Sequence, residues 1–303
     1  MDYGHKIADE NLQLLQEELT NLYKECFKQA RKELKEVEEI TKQYKDTVTK
    51  KERQELWKEK QRLISMLNRL TEDIQNVNQL AVEMINDNIL NTYIENYNYS
   101  MYDIEKITGF NLDTRLYNRE ILKELAIKND SKYFKIAIDN ITDKNRIYKE
   151  LKRNFIQAIV LGETPEQIAK RVKRVTGKNL NSSMRIARTE TTRLESKGRY
   201  DMYKKGENMG IKLKKKWVST IDSRTRHSHL YLQGEVVGLD EKFSNGLTRP
   251  ADKGGRPEEV VNCRCTMVSV VQGVEPSANL KKLEEDIRNK TYEEFKRRKE
   301  HGK

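Results

Sequence analysis

Two long series of apolar positions at helical spacing occupy the first third of the chain. The first runs from Leu12 to Val48 in steps of three and four, and the second alternates four and three from Leu63 to Met84. Both are narrow stripes with charged flanks, as in a coiled-coil seam. Between residues 5 and 108 there is no Gly or Pro. The pattern predicts a long antiparallel helical hairpin whose seam is closed by its own partner helix, and docking of that seam on another protein stays open.

Further helices are predicted from capping residues and from later periodic segments. Capping boxes at Thr49 and Thr164 predict helix starts. Shorter helical patterns cover 112–128 and 132–161. The helix that follows Thr164 is predicted to end at Gly177, and a new helix to run from Asn181 to Gly206.

The pattern changes from helical to extended after Lys212. Strands are predicted at 212–219 and 265–271, with a shorter one at 235–237. The run from Asn245 to Pro257 is rich in Pro and Gly and predicts a loop. Residues 279–303 alternate charge signs at helical spacing, which is typical of a solvated helix or frayed tail. The predicted fold is mainly α with a small C-terminal α+β domain: a long N-terminal helical hairpin, basic helices, then a short-stranded sheet with long loops.

The positive charge is concentrated in one part of the chain. The 303 residues include 59 Lys and Arg against 48 Asp and Glu, a net charge of +11. Residues 141–226 alone hold 23 cationic against nine anionic residues, a net of +14, so the remainder sums to −3. This distribution indicates a face suited to phosphate, although solvated helix surfaces would also account for it.

Composition also bears on location. No stretch approaches the roughly 20 apolar residues of a membrane span, and the amino end lacks the apolar core of a secretory signal. Three cysteines are too few to cross-link a secreted domain of this length. We therefore expect a protein that stays in the cytoplasm where it is made.

Eight cations within 23 residues form the candidate nucleic-acid interface. Such a concentration binds a polyanion without reading bases. Few aromatic residues are interleaved with it, so contact with the backbone of duplex DNA is favoured over single-strand stacking. The eight are Lys204, Lys205, Lys212, Lys214, Lys215, Lys216, Arg224 and Arg226.

Histidines and cysteines in the last third raise the question of a metal. Thiolates and imidazoles are the preferred ligands of zinc. However, Cys-x-Cys and His-x-His place neighbouring side chains on opposite sides of an extended backbone. The sequence therefore predicts no bound metal or cofactor, and zinc at His229, Cys263 and Cys265 stays as an open alternative.

An enzyme would need a poised base and a nucleophile. Glu190, Asp222 and His229 are the candidates, but they lie in no recognised signature of hydrolase or nuclease chemistry. Arginines dominate the same segments and favour a network of charge-assisted hydrogen bonds. We predict no catalytic residue, and a DNA-acting enzyme, a nuclease or toxin-like transferase using these three residues, remains the alternative.

Residues 150–271 carry a series of motifs in a defined order. The motifs are Ile186-Ala187-Arg188-Thr189-Glu190, Trp217, Asp222-x-Arg224-Thr225-x-x-x-His229, Gly234, Phe243, Pro250 and Asn262-Cys263-Arg264-Cys265. Their order resembles that of the phage Mu F-like minor head protein family, also called phage head morphogenesis proteins. The resemblance implies a structural role for Arg188, Glu190, Trp217, Asp222, Arg224, His229, Cys263 and Cys265. Family members often carry a His shortly before Cys-x-Cys, where this chain has Pro257-Glu258-Glu259-Val260-Val261.

The resemblance implies a minor capsid protein at the portal vertex of a tailed phage. The implied partners are the portal protein, a scaffold or major capsid protein, and double-stranded DNA bound without sequence preference. The implied locations are the host cytoplasm during assembly and the interior of the virion head. On this basis four segments are predicted: a long helical, coiled-coil-like region at 1–110, a helical connector at 111–148, a Mu F-like domain at 149–273, and a charged helical or disordered tail at 274–303.

Overall fold

The computed structural model describes residues 2–41, 50–121, 144–160, 165–275 and 279–301. It is mainly helical, with short antiparallel strands towards the C-terminus, as predicted. The helices are α1 (Tyr3–Thr41), α2 (Lys50–Thr108), α3 (Lys144–Val160), α4 (Pro165–Asn208), α5 (His227–Tyr231), α6 (Pro257–Val260), α7 (Glu285–Arg288) and α8 (Tyr292–His301). The strands are β1 (Phe110–Asn111), β2 (Ile211–Val218), β3 (Val236–Gly238), β4 (Thr266–Val274) and β5 (Lys281–Lys282).

Contacts divide the chain into two compact units, and neither is a single stretch of sequence. The sheet unit comprises residues 1–14, 86–136 and 185–303. The helical unit comprises residues 15–85 and 137–184. No helix within the described ranges combines the length and the apolar composition that a bilayer span requires.

The core of the helical unit is built on the two predicted seams. Cys26 of the first seam is buried with Leu70 and Ile74 of the second. Helices α3 and α4 complete this core, with Leu151 and Val172 among the residues that they bury there. The seam residues that the structure describes in this core are thus closed within the chain, by more than the two helices that carry them.

A buried polar cluster crosses the same core. The hydroxyl of Tyr23 donates to Asn78 Oδ1 at 2.6 Å and lies 3.1 Å from Ser183 Oγ. All three side chains are buried. The cluster links α1, α2 and α4, since buried polar groups need partners to offset their lost hydration.

The sheet unit contains a three-stranded antiparallel sheet in the order β3-β2-β4. Its three strands confirm the predicted ones to within a few residues at each end. A second sheet joins β1 to β5. The core between helices and sheet includes Met101, Met202, Tyr203 and Met267.

Some predicted helix ends are wrong. Helix α4 is continuous through Gly177 and Asn181, where an end and a new start were predicted. One glycine inside a helix costs only about 1 kcal/mol, and the packing of α4 outweighs that cost. Residues 112–118 are irregular rather than helical, because Leu112 is buried and its N–H donates to the Glu105 carboxylate at 2.8 Å. The predicted caps at Thr49 and Thr164, and the helical patterns over 122–128 and 132–143, lie outside the described residues.

Helices α2 and α4 approach closely at Gly198. A Cβ built on Gly198 would lie 2.5 Å from the carbonyl oxygen of Tyr93 and 3.2 Å from the amide nitrogen of Tyr97. Only a residue without a side chain permits this contact between the two backbones.

The C-terminal helix α8 is anchored rather than solvated, contrary to the charge pattern. Tyr292 and Phe295 are buried in the core of the sheet unit. Arg298 and Lys299 pair with the buried carboxylate of Glu105 on α2. The charged residues of α8 therefore flank an apolar face that consists of Tyr292 and Phe295.

A buried arginine organises the polar part of the sheet unit. Arg199 of α4 donates from Nε to Asn96 Oδ1 at 2.9 Å and from Nη1 to the carbonyl oxygen of Met267 at 3.1 Å. Its Nη2 pairs with Asp2 at the chain start. One side chain thus joins α2, α4, β4 and the residue before α1.

His5 and Glu195 extend this network. His5 Nδ1 lies 3.0 Å from the Glu195 carboxylate, which is 3.5 Å from Arg199 Nε and also accepts from the Thr266 hydroxyl. Burial lowers the pKa of His5, but attraction and hydrogen bonding to Glu195, together with attraction to Asp9, outweigh burial and raise the pKa to about 9. A charged His5 therefore belongs to the folded state at neutral pH.

Candidate functional site

The alternation of strand β2 separates the predicted DNA-binding lysines onto two faces. Ile211, Leu213 and Trp217 point into the core. Lys212 and Lys214 are exposed, and Lys216 is half-buried on the same outward face. Because β2 is the central strand, this face presents a row of three cations across the middle of the sheet, which we call the lysine face.

Lys215 does not belong to the lysine face, which corrects its prediction as a DNA contact. Its register on β2 turns it inward, where it is fully buried. The ammonium donates to the carbonyl oxygen of Leu239 and lies 5.6 and 5.4 Å from the ring centres of Tyr200 and Phe243. Burial lowers the pKa of Lys215 to about 8. The period of two in the strand could have revealed this from sequence.

The other predicted cations have partners within the chain or remain exposed. Lys204 pairs with Glu207 at 2.6 Å and Asp240 at 2.9 Å. Lys205 donates to the Thr114 hydroxyl, and Arg226 to the carbonyl oxygen of Val261. Arg224 is exposed, with its guanidinium 3.7 Å from the Asp222 carboxylate.

Helix α4 holds the loop that precedes β4 through Thr189 of the Arg-Thr-Glu motif and through Thr192, three residues later. The Thr189 hydroxyl accepts from the N–H of Asn262 at 3.0 Å, and the Thr192 hydroxyl donates to the carbonyl oxygen of Cys263 at 2.6 Å. Asn262 has a φ of 57°, a left-handed conformation that Asn tolerates well. The Asn-Cys-Arg-Cys motif therefore begins with a turn fixed from the helix side.

The remaining motif residues of α4 extend the same attachment. Arg193 donates to the carbonyl oxygen of Ala251 at 3.0 Å and pairs with Glu190. Burial raises the pKa of Glu190 despite the neighbouring Arg193. Arg188 is half-buried on the preceding turn.

Asp222 locks its own turn to the same loop. Its carboxylate accepts hydrogen bonds from both terminal nitrogens of Arg264 at 2.6 Å, which makes a bidentate pair. It also accepts a hydrogen bond from the backbone N–H of Arg224 at 2.9 Å. The hydrogen bonds from Arg264 hold the pKa of Asp222 well below its usual range. Asp-x-Arg-Thr and Asn-Cys-Arg-Cys are therefore two halves of one contact.

His229, Cys263 and Cys265 converge in the apolar core beneath this loop. Each has a relative exposure of 1%. Nδ1 of His229 lies 3.6 Å from Cys263 Sγ and 3.4 Å from Cys265 Sγ, and all three atoms lie within 4.8 Å of one another. The structure thus brings together the three residues of the open zinc alternative, and we call them the Cys-His cluster.

Neighbouring side chains fix the orientation of the His229 ring. Its Nε2 lies 3.0 Å from the Glu259 carboxylate of α6, and Ser219 Oγ donates to its carbonyl oxygen. Trp217 packs edge-on against the ring at 5.4 Å. Since Glu259 only accepts, Nε2 carries the proton and Nδ1 presents its lone pair to the two sulfurs.

The two thiols shift each other's pKa in opposite directions. The hydrogen bond from Cys263 holds the pKa of Cys265 below its usual range, and the same bond together with burial raises the pKa of Cys263. The cluster therefore accommodates one thiolate without any ion.

The three residues of the enzyme alternative have separate partners. Glu190 pairs with Arg193, Asp222 with Arg264, and His229 with Glu259 and the thiols. The contacts of Asp222 and His229 tie one segment of the sheet unit to another, whereas the pair of Glu190 and Arg193 lies within α4. Sequence reasoning missed Glu259, although it is the acidic residue nearest to Cys263 on the preceding helical turn.

Comparison with known proteins confirms the resemblance inferred from the motifs. Residues 149–268 match the family model described as phage Mu protein F like protein. The chain is 34% identical over 157 residues to the NAD(+)--arginine ADP-ribosyltransferase EFV of Enterococcus faecalis (strain ATCC 700802 / V583), covering 50% of this chain and 31% of that protein. It is 27% identical over 210 residues to the minor head protein GP7 of Bacillus phage SPP1, covering 67% of this chain and 66% of that protein. No solved structure gives a significant match.

Proposed function

We propose that this chain acts in head morphogenesis of a tailed phage, as a minor head component, because residues 149–268 match the phage Mu protein F-like family. The similarity to a phage minor head protein covers 210 residues, more than the 120 of the family match. It therefore includes residues outside the family domain, which supports a common role for the larger part of both chains.

The proposed role has two contacts. The portal protein is the expected protein partner, with scaffold or major capsid protein as further candidates. Duplex DNA is the expected second partner, bound through the lysine face without sequence preference. The observation that supports DNA contact is the row of Lys212, Lys214 and Lys216, where alternate residues of one strand present cations to the same side.

Association with the portal is tested by co-expression of the full chain with the portal protein of the same phage. We expect the chain to elute with the portal ring in size-exclusion chromatography, and to be present in purified particles. The portal protein of an unrelated phage serves as control. Absence from both the ring fraction and the particles would contradict the proposed role.

DNA contact is tested by the salt dependence of duplex binding. Each neutralised phosphate contributes a slope of about −0.9 in a plot of log affinity against log salt. The double variant Lys212→Gln, Lys214→Gln is expected to bind more weakly and to reduce the slope by about 2. The matched control Lys281→Gln, Lys282→Gln removes the same charge from the exposed strand β5 and should leave the slope unchanged. Equal slopes for both variants would refute the lysine face.

Arginine ADP-ribosyl transfer is a second candidate, supported by the 34% identity to a protein with that name. The alignment covers 31% of that protein, so the identity need not include its catalytic part. The full chain is incubated with labelled NAD+ and an arginine-rich acceptor. For a head protein we expect no incorporation above that of heat-inactivated chain, and incorporation that is lost in Glu190→Gln would favour the enzyme.

A further inference from the structure

The geometry of the Cys-His cluster fits a metal ion better than a set of thiol hydrogen bonds. His229 Nδ1 has one lone pair, because Glu259 fixes the proton on Nε2. Two sulfurs approach that single lone pair, at 3.6 and 3.4 Å. One thiol donor would satisfy it, and the second sulfur has no further lone pair on the ring to bind.

The distances agree with ligands around one tetrahedral centre. With Zn–S of about 2.3 Å and Zn–N of about 2.0 Å, tetrahedral geometry separates sulfur from nitrogen by roughly 3.5 Å. The two observed separations lie on either side of this value. All three donor atoms lie within 4.8 Å of one another, so a single ion reaches them all.

The backbone explains how a Cys-x-Cys pair serves one site. Alternating side chains diverge only on an extended strand, and β4 begins after Cys265, at Thr266. The left-handed Asn262 and the hydrogen bond from Thr192 to the carbonyl oxygen of Cys263 bend the chain before the strand. Both sulfurs then point towards the same ring nitrogen.

We propose that His229, Cys263 and Cys265 bind one Zn²⁺ ion through Nδ1 and the two sulfurs, with the fourth position held by a ligand from outside these three residues. Two thiolates balance the charge of the ion, so the site suits its buried, apolar surroundings. Glu259 acts as the positioning residue that holds the histidine ring, an arrangement common around zinc. The ion would join α5 to the loop before β4, and this proposal does not depend on the proposed function.

The proposal is tested on the full chain, purified under reducing conditions. Zinc content is measured by mass spectrometry, and zinc is then replaced with Co²⁺. We expect one ion per chain and, with cobalt, intense visible bands of tetrahedral geometry with thiolate charge-transfer bands. Reduced protein that takes up neither metal would overturn the proposal, as would a mass two hydrogens lower, which indicates a Cys263–Cys265 disulfide.

Variants then locate the ion. Cys265→Ser should lose stoichiometric binding, whereas the matched control Cys26→Ser, a buried cysteine of the helical unit, should keep it. Glu259→Gln should weaken affinity about 10- to 100-fold while the cobalt spectrum keeps its tetrahedral form. Binding that survives both Cys265→Ser and Cys263→Ser would place the ion elsewhere and refute the site. If these variants fail to fold, the cobalt spectrum of the unmodified chain decides.

Discussion

The close approach of α2 and α4 at Gly198 predicts that replacing this glycine with alanine does not stabilise the chain. In Gly198→Ala the new methyl group would lie 2.5 Å from the carbonyl oxygen of Tyr93, which is 0.9 Å short of the 3.4 Å where ordinary contact begins. The obstacle is backbone, so it cannot be relieved by a rotamer change. The two helices must separate locally.

The magnitude follows from two opposing effects. Overpacking of this kind costs about 1–3 kcal/mol, while replacing a helical glycine with alanine gains about 1 kcal/mol. We therefore expect a net loss of up to about 2 kcal/mol in the free energy of unfolding. The control is Gly177→Ala on the same helix, where nothing lies within 4 Å of the added carbon. That variant should be more stable than the unmodified chain, by up to about 1 kcal/mol.

The assay is urea denaturation followed by circular dichroism, which reports both units, and by Trp217 fluorescence, with Trp57 replaced by Phe so that the fluorescence comes from the sheet unit alone. Trp217 is fully buried there, so its emission should shift when the unit unfolds. If Gly198→Ala gained stability, as Gly177→Ala is expected to do, the inferred backbone contact would be wrong.

Two further predictions concern the buried polar groups. The pKa of His5 is about 9 in the folded chain against 6.5 for the free side chain. The stabilisation that His5 provides is therefore fully present below pH 6.5 and is lost as the pH rises through 9. The stability difference between the unmodified chain and His5→Gln should shrink over that range, and a constant difference from pH 6 to 9.5 would contradict the assignment. Tyr23→Phe removes the hydroxyl that contacts Asn78 and Ser183 in the helical unit. Loss of these buried hydrogen bonds should lower the free energy of unfolding by about 1–3 kcal/mol in urea denaturation. The control Tyr231→Phe changes a residue that is 88% exposed and should alter stability little.

Local patterns predicted most elements of this fold. The helices at both seams and the strands of the three-stranded sheet follow from periods that depend on near neighbours in sequence. Gly177 was misinterpreted because its cost as a helix residue is small beside the packing of α4, which periodicity does not reveal. Lys215 was misassigned although its own strand placed it inward.

The candidate site depends on contacts that no local pattern contains. Arg199 pairs with Asp2, and His5 with Glu195, across 197 and 190 residues. The spacing of Cys263 and Cys265 predicted side chains on opposite sides of an extended backbone, because the turn at Asn262 is not visible in the sequence pattern. The motifs indicated which residues matter, but their pairing required the folded chain.

The discontinuous make-up of the sheet unit sets the order in which the chain can fold during synthesis. Residues 1–14 leave the ribosome before the rest of the sheet unit, yet their partners within the unit include Arg199 and residues beyond it. Residue 184 is the last residue of the helical unit to be synthesised, so this unit can form before the partners of residues 1–14 have been made. Asp2 and His5 therefore lack these partners in a nascent chain, and an excised 149–268 segment would carry Arg199 without Asp2 and Glu195 without His5.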